Sequence, residues 1–435
     1  MKRSYGLVVT LLSGAFVAAC GGNNGLSSPT PTSVVPLRDS GAEKILYSFQ
    51  GGTGDGANPN YGDLIDIKGV LYGNTYAGGA SGSACPPTNF SALGCGTTYR
   101  VNPSSGAESV LYSFDVSPQG AHPWSGLIGV NGTFYGTTFD GGTGTNCSNP
   151  DGLSGCGTVF EVSTRGSGQT LYSFQGNGDG QFPQGSLIAV NGALYGSTNT
   201  GGANGNGSIF EISTSGAKSI VYSFKGSPDG ANPEAPLVNV KGELYSTTGS
   251  GGTGCLGAIP PGCGTIFKVS TSGTEEVVHR FKGSPDGDGA EGAGAAMIDL
   301  NGTLYGTTPF GGASSCKGAG SGFSGCGTVF KVSSLGKEQV VYSFKGRTDG
   351  EQPLAGLTDL HGTLYGTTQV GGAHGYGTIF NVNPSTGAER VLYSFKKPPD
   401  GEDPQAGLLV VNGVLYGTTH GGGTAGNGTV FTFTP

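Results

Sequence analysis

The stretch NGTLYGTT, residues 301–308, returns sixty residues later as HGTLYGTT, residues 361–368. Close variants occur five more times, so the phrase is written seven times in all. Between copies the chain repeats with a period of 50 residues at its shortest, Tyr172 to Tyr222, and 65 at its longest, Tyr47 to Tyr112. A repeat of this length is one supersecondary unit that cannot bury its apolar face alone.

One unit, from residue 170, reads TLYSFQGNGDGQFPQGSLIAVNGALYGSTNTGGANGNGSIFEIS. Turn signals divide it into four short strands. Strand a is LIAV, 187–190, and strand b is ALYGST, 193–198. The Asn-Gly pair between them suits a two-residue hairpin, because both turn positions take positive φ. A Gly-rich loop leads to strand c, SIFEIS, 208–213, and a TSG turn leads to strand d, SIVYSF, 219–224.

Strands this short need neighbours on both faces of their sheet. Two architectures supply them, a linear solenoid and a closed ring. The chain ends decide between the two. The first piece, EKILYSF at 43–49, is strand d alone, and the last, GTVFTF at 428–433, is strand c. Seven of each strand result only if the two ends share a sheet. The expected fold is therefore all-β, a seven-bladed β-propeller of four-stranded antiparallel blades. The N-terminal outer strand should pair with the three C-terminal strands and close it.

Composition agrees with a turn-rich repeat fold. The chain has 435 residues, 88 of them Gly and 24 Pro, with a net charge of -8 and only 11% charged residues. No basic stripe is present, so no nucleic-acid partner is expected.

The N-terminus has a different logic. Lys2 and Arg3 precede an apolar run, Gly6 to Ala18, that ends in VAAC, 17–20. The run is short for a membrane span and reads as a processing signal. VAAC resembles the lipobox of bacterial lipoproteins. That resemblance implies cleavage before Cys20, acylation of its thiol, and a membrane partner reached through the lipid. Gly21, not Asp, follows, which favours an outer-membrane or cell-surface location. Three segments result: a signal at 1–19, a Gly/Ser/Pro-rich tether at 20–41, and the propeller at 42–435.

The repeat itself resembles the GloVer tandem-repeat family of exported bacterial proteins. Its LYSF, DG, NGxLYGTT, GG and GTxF elements carry the likeness from about residue 43 to 435. The resemblance implies export and repetition, and it brings no activity or catalytic residues.

Eight further cysteines fall into local pairs: Cys85 and Cys95, Cys147 and Cys156, Cys255 and Cys263, Cys316 and Cys326. Each pair spans a long b–c loop. Where that loop is short, the second slot holds Asn206, Tyr376 or Asn427. Disulfides explain this and fit an oxidising exterior. Zinc would want CxxC-like pairs that converge, so no metal or cofactor is expected.

Function is sought where the repeat is broken. Most Tyr and Phe recur in YSF, LYG and GTxF and are core. Off-pattern aromatics, among them Tyr61, Tyr76, Phe139, Phe182 and Phe310, lie in d–a or b–c loops, as does Trp124, the single tryptophan. Antiparallel order puts both loop sets on one face. That face, with His122 two residues from Trp124, is the candidate surface for a glycan or a protein partner. His279 takes the Tyr slot of YSF and reads as a core substitute. The Asp of each DG reads as a turn residue bonding its own backbone. A lyase or hydrolase would need acids or histidines converging near the axis, and Asp140, Asp403 and His420 are the candidates. A passive structural envelope protein is the third possibility. The expected state is a monomer.

Overall fold

A computed structural model describes residues 41–80, 85, 94–147, 153–255, 262–287, 297–313, 316 and 325–435. Cys20, the signal and the tether up to residue 40 lie outside these. Six repeats each form one antiparallel sheet in the order a-b-c-d. In blade 1 these strands are Ile65–Ile67, Val70–Thr75, Thr97–Val101 and Glu108–Ser113. The seventh sheet takes Leu409–Val411, Val414–Thr419 and Thr429–Thr434 from the C-terminus and Ala42–Ser48 from the N-terminus. Ala42 lies opposite Thr434 and Ser48 opposite Thr429. The ring is thus shut by its own two ends, as the count of strands requires. Strand a of one blade touches strand a of the next, so the a-strands surround the axis.

Local chemistry sets each hairpin. The turn residues of every a–b pair have positive φ, as at Asn191 (51°) and Gly192 (86°). The Gly of LYG is needed for a close approach: a Cβ on Gly136 would sit 2.6 Å from Phe160 Cζ on strand c. The last Thr of LYGTT meets the first hydroxyl residue of strand c side by side. The pairs Thr75–Thr97 and Thr419–Thr429 are each 2.8 Å apart and buried.

Blades are joined by aromatic rings. The Phe of YSF packs edge-on against the aromatic of strand c in the following blade. Phe114 on Phe160, Phe224 on Phe267 and Phe49 on Tyr99 have centroids 4.8–4.9 Å apart. Such T-shaped pairs add about 0.5–1.5 kcal/mol each beyond area burial, and one stands at every seam. The Asp of DG does more than cap its own turn. Asp179 accepts from the Tyr172 hydroxyl at 2.8 Å and from Gln175 N at 2.8 Å, tying strand d to the loop that follows.

All four expected disulfides are present, with Cα–Cα distances of 5.0–5.3 Å. They close loops of 8–10 residues. Loops of this size are stabilised by about 2–3 kcal/mol in the chain-entropy account. Four disulfides suit an oxidising, exported environment.

Candidate functional site

The d–a and b–c loops meet on one face. Main-chain bridges join them within a blade, as between Ala121 and Asp140, Gln181 and Thr200, and Ala231 and Ser250. Three loop positions then recur around the ring. The first precedes proline: Asn58, His122, Phe182, Asn232, Gln352 and Asp403, all with φ between 54° and 61°. The second follows strand b: Tyr76, Phe139, Asn199, Gly249, Gln369 and His420. The third follows the proline: Asn60, Trp124, Gln184, Glu234, Leu354 and Gln405.

The main chain holds the first position in the same way from blade to blade. His122 N donates to Cys95 O of the preceding blade at 2.9 Å, and His122 O accepts from Phe139 N at 2.9 Å. Phe182, Asn232, Gln352 and Asp403 repeat both bonds with their own equivalents. A left-handed backbone is costly for a non-glycine residue, yet here it carries Asn, His, Phe, Gln or Asp. The fold therefore fixes these positions without fixing their side chains.

Tyr76, Phe139, Trp124 and Phe182 make blades 1 to 3 the aromatic side of this face. Tyr61 stacks on Trp124 with centroids 5.2 Å apart, Trp124 meets Phe139 at 5.2 Å, and Phe139 stacks on Phe182 at 5.0 Å. These four rings form a partly exposed line across the loop face. Tyr61 and Phe139 both pack on Trp124, which stays partly exposed. Behind the line, Tyr76 stacks on His122 at 4.2 Å.

His122 is 1% exposed and Asp140 fully buried, and His122 Nδ1 lies 2.9 Å from Asp140 Oδ2. The surface position expected for His122 is thus replaced by an interior one. Tyr76 covers its ring, and Asp140 meets its polar edge.

From blade 3 onward polar side chains predominate at these positions. Asn199 Nδ2 donates to Gln184 Oε1 at 2.9 Å and to Glu234 Oε1 at 2.8 Å, and Asn232 Nδ2 donates to Asn199 Oδ1 at 2.8 Å. Gln405 Nε2 donates to Asp403 Oδ2 at 3.0 Å. Burial pushes the Asp403 carboxyl up, opposed by His420, Gln369 and Gln405.

These groups converge on a funnel at the axis, lined by Tyr61, Asp63, Ser125, Gln184, Glu234 and Gln405 among others. The cavity there has room for little more than one ordered water. Asp63 is open to solvent inside the funnel and yet ringed by protein. Loss of bulk water pushes its carboxyl up, and Gly407 N, 2.6 Å from Oδ1, pulls it back. Burial, then Asp403 and Glu234, push the Tyr61 hydroxyl up.

The structure therefore brings together Tyr61, Tyr76, His122, Trp124, Phe139, Asp140 and Phe182. Asp403 and His420 sit together in blade 7, close enough to Tyr61 for Asp403 to act on it. Phe310 is buried in blade 5, three blades on from Trp124. The three candidate catalytic groups do not form one constellation: Asp140 is sealed inside blade 2, away from the blade 7 pair. The funnel residues Asp63, Gln184, Glu234 and Gln405 escaped sequence reasoning. Their signal lies in aligning the segments that follow each proline, where blade 1 alone has an extra residue before its leucine.

A search of curated proteins finds no match. Among solved structures, oligogalacturonate lyase from Vibrio parahaemolyticus is 9% identical, with 90% of this chain and 93% of that one covered and a TM-score of 0.47. TolB from Acinetobacter baumannii is 11% identical, with 75% and 63% covered and a TM-score of 0.38. Likenesses at this level carry no inference about chemistry. The sequence model of the Gloeobacter/Verrucomicrobia repeat matches residues 88–319 and 317–435, and the chain belongs to that repeat family.

Proposed function

We propose that this propeller is an exported binding module, anchored to the cell envelope through acylated Cys20, that holds a glycan across its loop face. One observation carries the proposal. A line of partly exposed rings, Tyr61, Trp124, Phe139 and Phe182, runs beside a funnel lined by amides, carboxylates and hydroxyls. Sugars offer apolar C–H patches to aromatic surfaces and hydroxyls to planar polar side chains. The cavity admits little more than a hydroxyl-sized group, so the ligand lies over it rather than inside it. The N-terminal VAAC motif supports the anchor, and the four disulfides support export.

The test is a glycan-array screen of the acyl-free mature chain, followed by titration of the best binder. Trp124→Ala should weaken binding more than tenfold and Glu234→Gln several-fold, both with unchanged far-UV circular dichroism. Absence of any glycan binder, or binding indifferent to both changes, would remove the proposal. Capture of a protein instead would replace the ligand class and keep the face.

A further inference from the structure

The outer rim repeats its own three-residue contact. At four seams a Tyr from strand d, the Asp of the following DG and a Glu from strand d of the next blade come together. They are Tyr47, Asp55 and Glu108; Tyr222, Asp229 and Glu275; Tyr342, Asp349 and Glu389; Tyr393, Asp400 and Glu43. In each, the phenol donates to the Asp carboxylate. A phenol keeps its proton at neutral pH and is a poor ligand.

At the seam between blades 4 and 5 the Tyr is replaced by His279. Its Nε2 lies 3.2 Å from Asp286 Oδ2. Glu338 completes the set, and one donor atom from each of the three lies within 4.8 Å of the others. Glu338 Oε1 is buried with no hydrogen-bond partner among the described residues. His279 and Asp286 are each 16% exposed, which leaves a path for an ion and its water.

We propose that His279, Asp286 and Glu338 bind one divalent transition-metal ion of zinc's class, bridging the outer strands of blades 4 and 5. An imidazole with two carboxylates and one open position is a zinc-type donor set. Bonds of about 2.0–2.2 Å in a tetrahedron put neighbouring ligand atoms about 3.4 Å apart. His279 and Asp286 already stand near that spacing, and Glu338 needs a side-chain shift of about 1.4 Å at most. The two carboxylates neutralise the ion. Lys282, whose charge both acids feel, opposes it. The other six seams, with Tyr in place of His279, offer no such lone pair.

Chelator-stripped protein should take up one equivalent of Zn²⁺ by calorimetry and raise its Tm. Co²⁺ should give the visible absorption of a low-symmetry site. His279→Tyr, which rebuilds the contact found at the other seams, should fold and lose at least tenfold in affinity, and Glu338→Gln should do the same. Tyr222→His at the seam with Asp229 and Glu275 should add a second equivalent. No stoichiometric uptake, or uptake unchanged by His279→Tyr and Glu338→Gln, would overturn the proposal.

Discussion

The rim and the loop face of this ring solve the same repetition in opposite ways. At the rim the side chains recur and do the joining: Tyr, Asp and Glu meet at four seams, with one or two replacements at each of the others. Lys218 takes the Glu place against Asp179, 2.6 Å away, and Gly168 takes it against Tyr112. On the loop face the main chain recurs and the side chains differ from blade to blade. Where side chains hold blades together, the repeat cannot drift far. Where carbonyls and amides hold the loops, each blade is free to present something else. That freedom is why the loop face, and not the rim, is the place to seek recognition.

The largest test attacks what both regions presuppose. Deleting residues 42–48 removes the strand paired with Thr429–Thr434 and leaves the seventh blade with three strands. Cooperative unfolding should be lost, since a propeller needs every seam filled. A truncated chain with an unchanged melting transition would deny the closure.

Next in size is breaking the buried pair beneath the aromatic line. His122→Ala removes the imidazole that meets Asp140 at 2.9 Å. It should cost about 1–3 kcal/mol, the range for a buried polar group that loses a hydrogen bond. Denaturant unfolding measures it, and a cost under about 1 kcal/mol would place Asp140 in contact with water.

A smaller change concerns the rim alone. Loss of water, and then the neighbouring Asp400, pushes the Glu43 carboxyl up to about 7. Burial and Asp55 do the same to Glu108, and burial does so to Glu389 against the Tyr342 hydroxyl, each reaching about 7. The folded values exceed the unfolded one of about 4.5, so folding binds protons here. The resulting stability is complete below about pH 4.5 and is lost as pH rises through about 7. Tm should fall from pH 5 to pH 8, and Gln at these three positions should flatten that slope. An unchanged slope in the triple variant would assign it to other groups.

Smaller still, Tyr222→Phe removes one phenol–carboxylate bond to Asp229, 2.9 Å long. It should cost about 1–2 kcal/mol by denaturant unfolding. No loss would mean water replaces the phenol at that seam.

The blades and the closure were legible in the sequence because their determinants are local or counted. Asn-Gly turns, paired cysteines and the tally of strand pieces need no tertiary information. Strand limits in the unit from residue 170 moved by about one residue, as in Ser208–Ile212 and Lys218–Ser223, within the usual uncertainty of strand ends. The loop face was legible only as a surface. His122 looked exposed because it breaks the pattern in a loop. What buries it is Tyr76 from the preceding blade, a neighbour set by ring geometry and not by sequence distance. The funnel residues were missed for the same reason: Asp63, Glu234 and Gln405 meet only once the ring is shut. His279 read as a core substitute for Tyr, yet its partner Glu338 lies a whole blade away.

The contrast between rim and loop face is tested most directly by exchanging one blade's face for another's. Blade 2 would receive the residues of blade 4 at four places: His122→Asn, Trp124→Glu, Phe139→Gly and Asp140→Ser. Blade 4 already pairs Asn232 with Ser250 across the same main-chain bridge, and replacing both members of a buried pair is far milder than removing one. The account predicts a ring whose Tm moves by only a few degrees and whose glycan binding is gone. A chain that unfolds, or one that binds as before, would contradict it.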